Sequence, residues 1–243
     1  MSAILEVQHL TKRFGGVTAV NECSFDVEEG TITALIGPNG SGKTTAFNMI
    51  TGYLKYDAGS IRFRGENIVK PKPADLYRKG LSRTFQQARI FPELSVLENM
   101  VVASGTSWRQ LFGRRVSAQD DQRAREILAE FRLDSLADLT SADLSYGQRK
   151  LLEFASVLMS DPKLVLLDEP TAGVNPVMID SMEEHIRERH AAGVTFLIVE
   201  HDMQLVMRLC DPVIVLDQGA PIAFGRPEMI QSDPRVLEAY LGS

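Results

Sequence analysis

The chain has 243 residues, of which 44% are hydrophobic and 24% charged, and its formal net charge is −6 at pH 7. This is the composition of a soluble globular protein with one large domain or two small ones. The acidic balance argues against a nucleic-acid-binding protein, because phosphate backbones are bound by clustered Lys and Arg. The sequence contains no signal-peptide pattern and no apolar stretch near 18 residues, so a cytoplasmic location without a membrane-spanning helix is expected.

Apolar runs and helical patterns alternate along most of the chain, which favours an α/β fold. Strands are predicted at residues 4–10, 23–27, 31–36, 61–63, 81–85, 164–167, 195–199 and 213–216. The last three are continuous apolar runs, typical of a sheet that is covered on both faces. Helices are predicted at residues 44–54 and 176–192, and Gly193 ends the second.

The middle of the chain has a different pattern. From residue 96 to residue 159 the pattern is helical throughout. Residues 118–131 carry Ile127, Leu128 and Phe131 among charges, and residues 146–159 place their apolar side chains on one stripe, namely Leu151, Leu152, Ala155, Leu158 and Met159. We therefore expect a helical subdomain, at about residues 90–160, inserted into an α/β core. Residues 227–241 are expected to form two short helices that separate at Pro234. No repeat or linker is found, so residues 1–243 are predicted to be a single domain.

A glycine-rich segment lies between a predicted strand and a predicted helix. Residues 37–44 read Gly-Pro-Asn-Gly-Ser-Gly-Lys-Thr, which matches the phosphate-loop pattern in the context that it requires. Glycines let backbone N–H groups turn inward around an anion, and the next helix adds its partial positive charge. Lys43 would hold the β- and γ-phosphates, and the Thr44 hydroxyl would bind Mg²⁺. A structural glycine-rich turn is the alternative.

Two carboxylates and a histidine are predicted at the same edge of the sheet. Asp168 and Glu169 end the apolar run at 164–167, and His201 follows the run at 195–199. Ligands of α/β sheets bind at the carboxyl ends of the strands. Asp168 would hold Mg²⁺, and Glu169 would act as general base towards a water that His201 helps to orient. A strand that simply meets solvent is the alternative for Asp168 and Glu169.

Residues 144–148, Leu-Ser-Tyr-Gly-Gln, begin a predicted helix with Ser145 as its N-cap. A hydroxyl, a glycine and helix N-terminal N–H groups together can form a second anion site. A chain with two phosphate sites and one phosphate loop suggests that each site serves a different subunit.

In this order, the segments resemble the nucleotide-binding subunits of ATP-binding-cassette (ABC) transporters, over about residues 5–242. The segment 37–45 resembles the Walker A loop, 164–170 the Walker B strand, 144–148 the cassette signature, and His201 the switch histidine. The resemblance implies a P-loop NTPase cassette: a RecA-like α/β core with an antiparallel β subdomain and an inserted helical subdomain. It also implies hydrolysis of ATP with Mg²⁺.

The resemblance assigns further residues. Phe14 would stack on the adenine with Val20 beside it, and Gln86 would touch both Mg²⁺ and the lytic water. The nucleotide-binding residues that it implies are Phe14, Val20, Gly37, Pro38, Asn39, Gly40, Ser41, Gly42, Lys43, Thr44, Thr45, Ser145, Gly147 and Gln148. The implied catalytic residues are Glu169, His201 and Gln86, and the implied metal ligands are Thr44, Gln86 and Asp168.

The same resemblance implies partners. Two cassettes would form a head-to-tail dimer, in which Ser145 and Gly147 of one subunit contact the γ-phosphate that Lys43 of the other holds. ATP closes this dimer, hydrolysis opens it, and the motion drives a membrane permease. The second cassette is expected to be a different but related subunit. The chain would lie at the cytoplasmic face of the inner or plasma membrane, with an extracytoplasmic substrate-binding protein as an indirect partner and no nucleic acid.

One branch of the family is more similar than the rest. The segments RTFQ, IFPELSVLEN, AGVNP and DPRVLEAYLG resemble LivG-type ATP-binding subunits of branched-chain amino-acid importers. Tyr146 replaces a signature glycine and Asn175 an aspartate of most cassettes, and both are usual for this branch. A urea or amide importer and a lipopolysaccharide exporter are the alternatives within the family.

Cassettes that serve other processes fit less well. DNA-repair cassettes separate the phosphate loop from the signature by a long coiled coil, and translation factors carry two cassettes. A GTP switch protein would need an Asn-Lys-x-Asp segment, which the sequence lacks. Residues 86–98, with Phe91 and Leu94, are expected to form the groove that contacts the permease.

Overall fold

The structure, a computed structural model, describes residues 2–84, 90–104 and 117–241. The described strands are β1 (Ala3–Phe14), β2 (Val17–Glu28), β3 (Ile32–Ile36), β4 (Ala58–Phe63), β5 (Glu66–Asn67), β6 (Leu81–Arg83), β7 (Leu164–Asp168), β8 (Thr195–Val199), β9 (Val213–Asp217) and β10 (Ala220–Gly225). The described α-helices are α1 (Lys43–Ile50), α2 (Pro73–Arg78), α3 (Val96–Ala103), α4 (Ala118–Glu130), α5 (Tyr146–Val157), α6 (Pro176–Ala191), α7 (Met203–Leu209), α8 (Pro227–Ser232) and α9 (Pro234–Leu241).

Within the described ranges the strands form two sheets. The first is antiparallel, with the order β2-β1-β4-β5. The second has the order β10-β9-β3-β8-β7-β6, and its pairs are parallel except for β10 with β9. This arrangement is the expected α/β core with an antiparallel β subdomain. Because β8 lies between β3 and β7, the carboxyl ends of these three strands meet at one edge.

The central strands are mostly apolar because both of their faces are covered. Every residue of β3, β7 and β8 is buried. Alternate residues of β7 belong to different cores: Val165 and Leu167 pack in one apolar cluster, Leu164 and Leu166 in the other. The continuous apolar runs were therefore correctly interpreted as strands of a doubly covered sheet.

The helices α3, α4 and α5 lie in sequence between β6 and β7, as the helical pattern predicted. The prediction of helix throughout this region is wrong for residues 132–145, which form turns and two one-turn 3₁₀ segments between α4 and α5. The buried faces of the three helices join the same apolar cluster as one face of the parallel sheet. Helix α5 begins at its N-cap Ser145 with a capping box, and α3 begins in the same way at Ser95. This packing fixes the start of α5 relative to the sheet edge.

Several elements differ from the sequence prediction. Helix α1 ends at Ile50 rather than residue 54, and β1 extends to Phe14. Sequence patterns did not predict β5, β10, α2 or α7. Both cysteines are buried, and burial raises the pKa of Cys23 and of Cys210 to about 12. None of the helices in the described ranges combines the length and apolar character that crossing a bilayer requires.

Candidate nucleotide-binding and catalytic site

The glycine-rich loop joins β3 to α1 at the carboxyl edge of the parallel sheet. Gly37, Gly40 and Gly42 have positive φ values of 148°, 81° and 98°. A Cβ atom on Gly37 would lie 2.0 Å from the carbonyl oxygen of Leu216, so only glycine fits there. Gly42 is the N-cap of α1 and has no side chain to cap it, which leaves the first-turn N–H groups to an anion.

Lys43 lies within the loop itself. Its Nζ donates hydrogen bonds to the carbonyl oxygens of Gly37 and Pro38, at 2.7 and 2.9 Å, and approaches Ser41 Oγ at 3.4 Å. Burial lowers the pKa of Lys43, and the nearby carboxylates of Glu169 and Asp168 partly oppose that shift. The ammonium group is thus confined at the centre of an inward-turned loop, within electrostatic reach of both carboxylates.

The rear of the loop is attached to neighbouring segments. Gly219 donates its N–H to Ser41 O at 3.0 Å, and its own carbonyl accepts from Asn21 N at 2.9 Å. Val20 is fully buried, and its Cγ2 would lie 3.3 Å from a Cβ atom on Gly42. Val20 therefore packs against the loop and has no exposed surface for contact with the adenine.

The remaining predicted nucleotide contacts of this half lie nearer the surface. Phe14 is 49% exposed, and Lys12 Nζ lies 5.5 Å from its ring centroid. Asn39 and Thr44 are exposed, and Thr45 is half-buried. The chain thus offers an accessible aromatic ring at the end of β1 and an accessible hydroxyl on α1, which a nucleotide and its metal require.

The predicted base and the predicted switch histidine are in direct contact. Asp168 pairs with Val199 across β7 and β8, so the residues that follow each strand are neighbours. His201 Nε2 lies 2.8 Å from Glu169 Oε1. A carboxylate only accepts hydrogen bonds, so the imidazole Nε2–H donates this one. Glu169 has φ 47°, a left-handed conformation that is uncommon for a non-glycine residue and often found at functional sites.

Glu200 joins the segments that follow Glu169 and precede His201. One carboxylate oxygen accepts from Thr171 N at 3.0 Å and from Thr171 Oγ1 at 2.6 Å. The other accepts from His201 N at 3.0 Å. Glu200 is buried, and no role for it was predicted from the sequence. Its position directly after an apolar run, like that of Asp168, was the sequence feature that could have indicated a role at this edge.

Asp168 forms a buried ion pair that the sequence analysis also did not predict. Arg83, at the end of β6, donates from Nη2 to Asp168 Oδ2 at 2.6 Å. The same guanidinium donates from Nη1 to Asn48 Oδ1 and to Thr51 Oγ1, on and just after α1. Arg83 is the first residue of the RTFQ segment, whose pattern indicated the family but no role for the arginine.

The start of α5 forms a separate group at the surface. Ser145 Oγ accepts from Gln148 N at 3.3 Å, and Gln148 Oε1 accepts from Ser145 N at 2.9 Å. A Cβ atom on Gly173 would lie 3.3 Å from the Tyr146 ring, and one on Gly147 would lie 3.1 Å from the Met178 side chain. No hydrogen bond among the described residues joins Ser145, Gly147 or Gln148 to the glycine-rich loop.

Gln86, predicted as a metal ligand and a catalytic residue, lies outside the described residues. In the described part of the chain, no group of three or more His, Cys, Asp or Glu side chains could hold a metal ion. Thr44 and Asp168 nevertheless fit Mg²⁺, because this ion takes a few protein oxygens and completes its octahedron with water and phosphate oxygens. The exposed Thr44 hydroxyl and the carboxylate near Lys43 supply such oxygens.

Comparison with known proteins identifies the family. Residues 20–172 match the family described as ABC transporter, and residues 220–243 match that described as branched-chain amino acid ATP-binding cassette transporter. The chain is 42% identical to the high-affinity branched-chain amino acid transport ATP-binding protein BraF of Pseudomonas aeruginosa, covering 98% of each chain. It is 39% identical to its LivG counterpart in Escherichia coli, again covering 98% of each.

Solved structures agree with these sequence relationships. A nucleotide-free ATP-binding cassette from an ABC transporter superposes with a TM-score of 0.90 at 37% identity, over 100% of both chains. The ADP conformation of an ATP-binding cassette of an ABC transporter gives a TM-score of 0.90 at 38% identity, also over 100% of both chains. The phosphate-loop site described above thus lies in a nucleotide-binding fold. The chain belongs to the ABC transporter family of ATP-hydrolysing, nucleotide-binding subunits, in its branched-chain amino acid branch.

Proposed function

We propose that this chain hydrolyses Mg²⁺-ATP to drive uptake of branched-chain amino acids through a membrane permease. One observation carries the ATPase chemistry: β3, β7 and β8 bring Lys43, Asp168, Glu169 and His201 to one edge. The match of residues 220–243 and the names of the relatives support the amino-acid substrate over urea, an amide or lipopolysaccharide.

Nucleotide binding uses the loop and its surroundings. The inward N–H groups of residues 37–45 and the N-terminus of α1 receive the phosphates. Lys43, now held by two carbonyl oxygens, exchanges these for the β- and γ-phosphates. Phe14, whose ring is accessible, stacks on the adenine. The partial loss of hydration at buried Lys43 strengthens its attraction for phosphate.

Thr44 and Asp168 are the described residues that would hold Mg²⁺, with Gln86 as a further predicted ligand. Mg²⁺ held there would supply positive charge that stabilises the negative charge developing during phosphoryl transfer. Glu169 accepts a proton from the attacking water as general base. His201, through its contact with Glu169 Oε1, orients that carboxylate and reaches the γ-phosphate.

The signature half completes a second site. Ser145, Gly147 and Gln148 lie at the surface start of α5, where the helix N-terminus attracts an anion. We propose that they contact the γ-phosphate bound to a second cassette in a head-to-tail dimer. The second cassette would be a different but related subunit, so each chain contributes one half to each of two composite sites.

The permease connects this single cassette domain to the membrane. Phe91 is 41% exposed just before α3, and charge at its position would oppose an apolar contact. We propose that the surface around Phe91 and Leu94 receives a permease helix at the cytoplasmic face of the membrane. A substrate-binding protein on the opposite side would act on the permease and not on this chain.

Uptake measurements in cells test the proposal. Lys43→Ala in the chromosomal copy should abolish the energy-dependent uptake of labelled leucine, isoleucine and valine, because the nucleotide phosphates lose their buried cation. Uptake of urea and of a short amide should be unaffected. Lys55→Ala, at an exposed lysine, is the matched control. Loss of urea or amide uptake with intact leucine uptake would overturn the amino-acid assignment and leave the ATPase assignment standing.

A further inference from the structure

The guanidinium of Arg83 is fixed by several groups at once. Among the described residues it donates to Asp168 Oδ2 (2.6 Å), Asn48 Oδ1 (2.7 Å), Thr51 Oγ1 (2.9 Å) and Thr84 O (3.2 Å). The Arg83 and Asp168 side chains are only 5% and 3% exposed. The fork of donors matches this set of acceptors, which a lysine ammonium could not contact together.

Aromatic rings also hold the guanidinium. Arg83 Cζ lies 5.6 Å from the centroid of Phe47 and 5.9 Å from that of Tyr53. Phe47 belongs to α1, the helix that starts from the glycine-rich loop. Arg83 therefore connects Asp168 on β7 with the helix that carries the phosphate-binding N-terminus. Buried ion pairs persist when further hydrogen bonds satisfy their partners, as here.

The ion pair with Arg83 gives the two carboxylate oxygens of Asp168 different hydrogen bonding. Oδ2 accepts from Arg83, whereas no hydrogen bond to Oδ1 is formed within the described residues. A carboxylate that is held through one oxygen presents the other in a fixed direction, and such support orients metal ligands in proteins. A second cation beside the carboxylate would by itself weaken metal binding. The orientation must therefore outweigh this repulsion if the pair serves the metal.

We propose that Arg83 is a positioning residue for Mg²⁺: it holds Asp168 Oδ2 so that Oδ1 meets the ion bound with the nucleotide. This inference rests on the proposed role of Asp168 as a metal ligand. It gives the arginine of the RTFQ segment a function of its own. It also predicts that Arg83 affects nucleotide affinity only when Mg²⁺ is present.

The test separates metal-dependent from metal-independent binding. The affinity of the whole chain for a fluorescent ADP analogue is measured with saturating Mg²⁺ and with excess EDTA, and the ratio of the two affinities is compared. Arg83→Met should lower that ratio about 10- to 100-fold, the usual effect of losing a residue that supports a metal ligand. Affinity in EDTA should stay at the level of the unaltered chain.

Two further variants serve as controls for this measurement. Arg62→Met removes an arginine paired with Glu6 in the antiparallel sheet, and its ratio should not change. Asp168→Asn removes the proposed ligand, and its ratio should fall at least as far as that of Arg83→Met. If Arg83→Met does not fold, Arg83→Lys provides the same comparison, because it keeps the charge and loses the fork.

Each other outcome overturns the inference in a recognisable way. An unchanged ratio in Arg83→Met with a lowered ratio in Asp168→Asn refutes the role of Arg83 alone. Equal loss of affinity with Mg²⁺ and with EDTA means that Arg83 only stabilises the fold. An unchanged ratio in both variants removes Asp168 as a metal ligand, and with it both the inference and that part of the proposed function.

Discussion

The two predicted phosphate-binding regions of this chain are constructed differently. At the sheet edge, the functional side chains are held by other residues: Lys43 by loop carbonyls, Asp168 by Arg83, and Glu169 by His201. At the start of α5, Ser145 and Gln148 hydrogen-bond each other and lie at the surface. The first region is organised before any ligand arrives, whereas the second presents a capped helix N-terminus to whatever approaches it.

This difference matches the proposed division of work. Preorganised charges and donors stabilise charge that develops in a reaction, and they lose that ability when their supports are removed. A surface helix N-terminus contributes only once a phosphate is brought to it, which requires closure against another subunit. Substitutions in the first region should therefore impair chemistry within the subunit. Substitutions in the second should impair closure and leave binding by the subunit's own loop intact.

The largest effect is expected at Glu169. Glu169→Gln should lower ATP turnover by about 100- to 10,000-fold, because an amide cannot take the proton from water. ATP should still bind, since the loop and Lys43 are unchanged, and the left-handed backbone at this position is the same for both residues. Phosphate release and equilibrium nucleotide binding measure the two properties. Glu28→Gln, on the exposed edge of β2, is the control. Turnover equal to that of the unaltered chain would show that the base lies elsewhere.

A smaller effect is expected at Ser145, and the chain contains its own control. Both Ser145 and Ser95 cap a helix through a capping box. Each Ser→Ala change should destabilise the protein by about 1 kcal/mol, the usual value of an N-cap. Only Ser145→Ala should also lower turnover, by about tenfold, since a hydrogen bond to a charged phosphate is lost.

Urea unfolding gives the stability of both variants, and ATPase activity with the partner cassette gives the turnover. Affinity for ADP in the isolated chain should be the same for Ser145→Ala and Ser95→Ala. Equal turnover in the two variants would mean that Ser145 serves only as a helix cap. The comparison between the two regions would then lose its functional meaning.

Much of the fold was predictable because the local patterns agree with it. The run at 164–167 is apolar at every position, the run at 195–199 is apolar after Thr195, and the structure buries both faces of β7 and β8. Strand β10 was not predicted, because Pro221 interrupts its pattern and it pairs only at the edge of the sheet. The local feature that could have indicated β10 is the turn before it, in which Gln218 and Gly219 both have positive φ values.

The positions of the candidate site residues were predictable where a motif puts one residue type at a fixed place. The loop glycines, Lys43, Asp168 and Glu169 are such residues. Arg83 and Glu200 are not, because their roles depend on which side chains the fold brings within hydrogen-bond distance. Arg83 is 85 positions from its partner Asp168, and Glu200 is 29 from Thr171, so no local pattern predicts either contact.

The smallest effect is expected where the two regions meet, in the coupling between Gly173 and Tyr146. Gly173 follows Asp168 and Glu169 closely in sequence, and a Cβ atom there would lie 3.3 Å from the ring of Tyr146 in the signature segment. Gly173 has φ 72°, so Gly173→Ala should cost about 1 kcal/mol in backbone strain alone. Gly193→Ala isolates that strain, because Gly193 has φ 93° and open space around it.

Crowding against Tyr146 should make Gly173→Ala less stable than Gly193→Ala by about 0.5 kcal/mol, a typical coupling between residues in contact. Urea unfolding in the unaltered and the Tyr146→Ala backgrounds measures this difference. The excess should disappear when the ring is removed, whereas the cost of Gly193→Ala should stay the same. An excess that persists without the ring would show that Tyr146 and Gly173 are not coupled. The signature and the catalytic edge would then be connected only through the packing of α5.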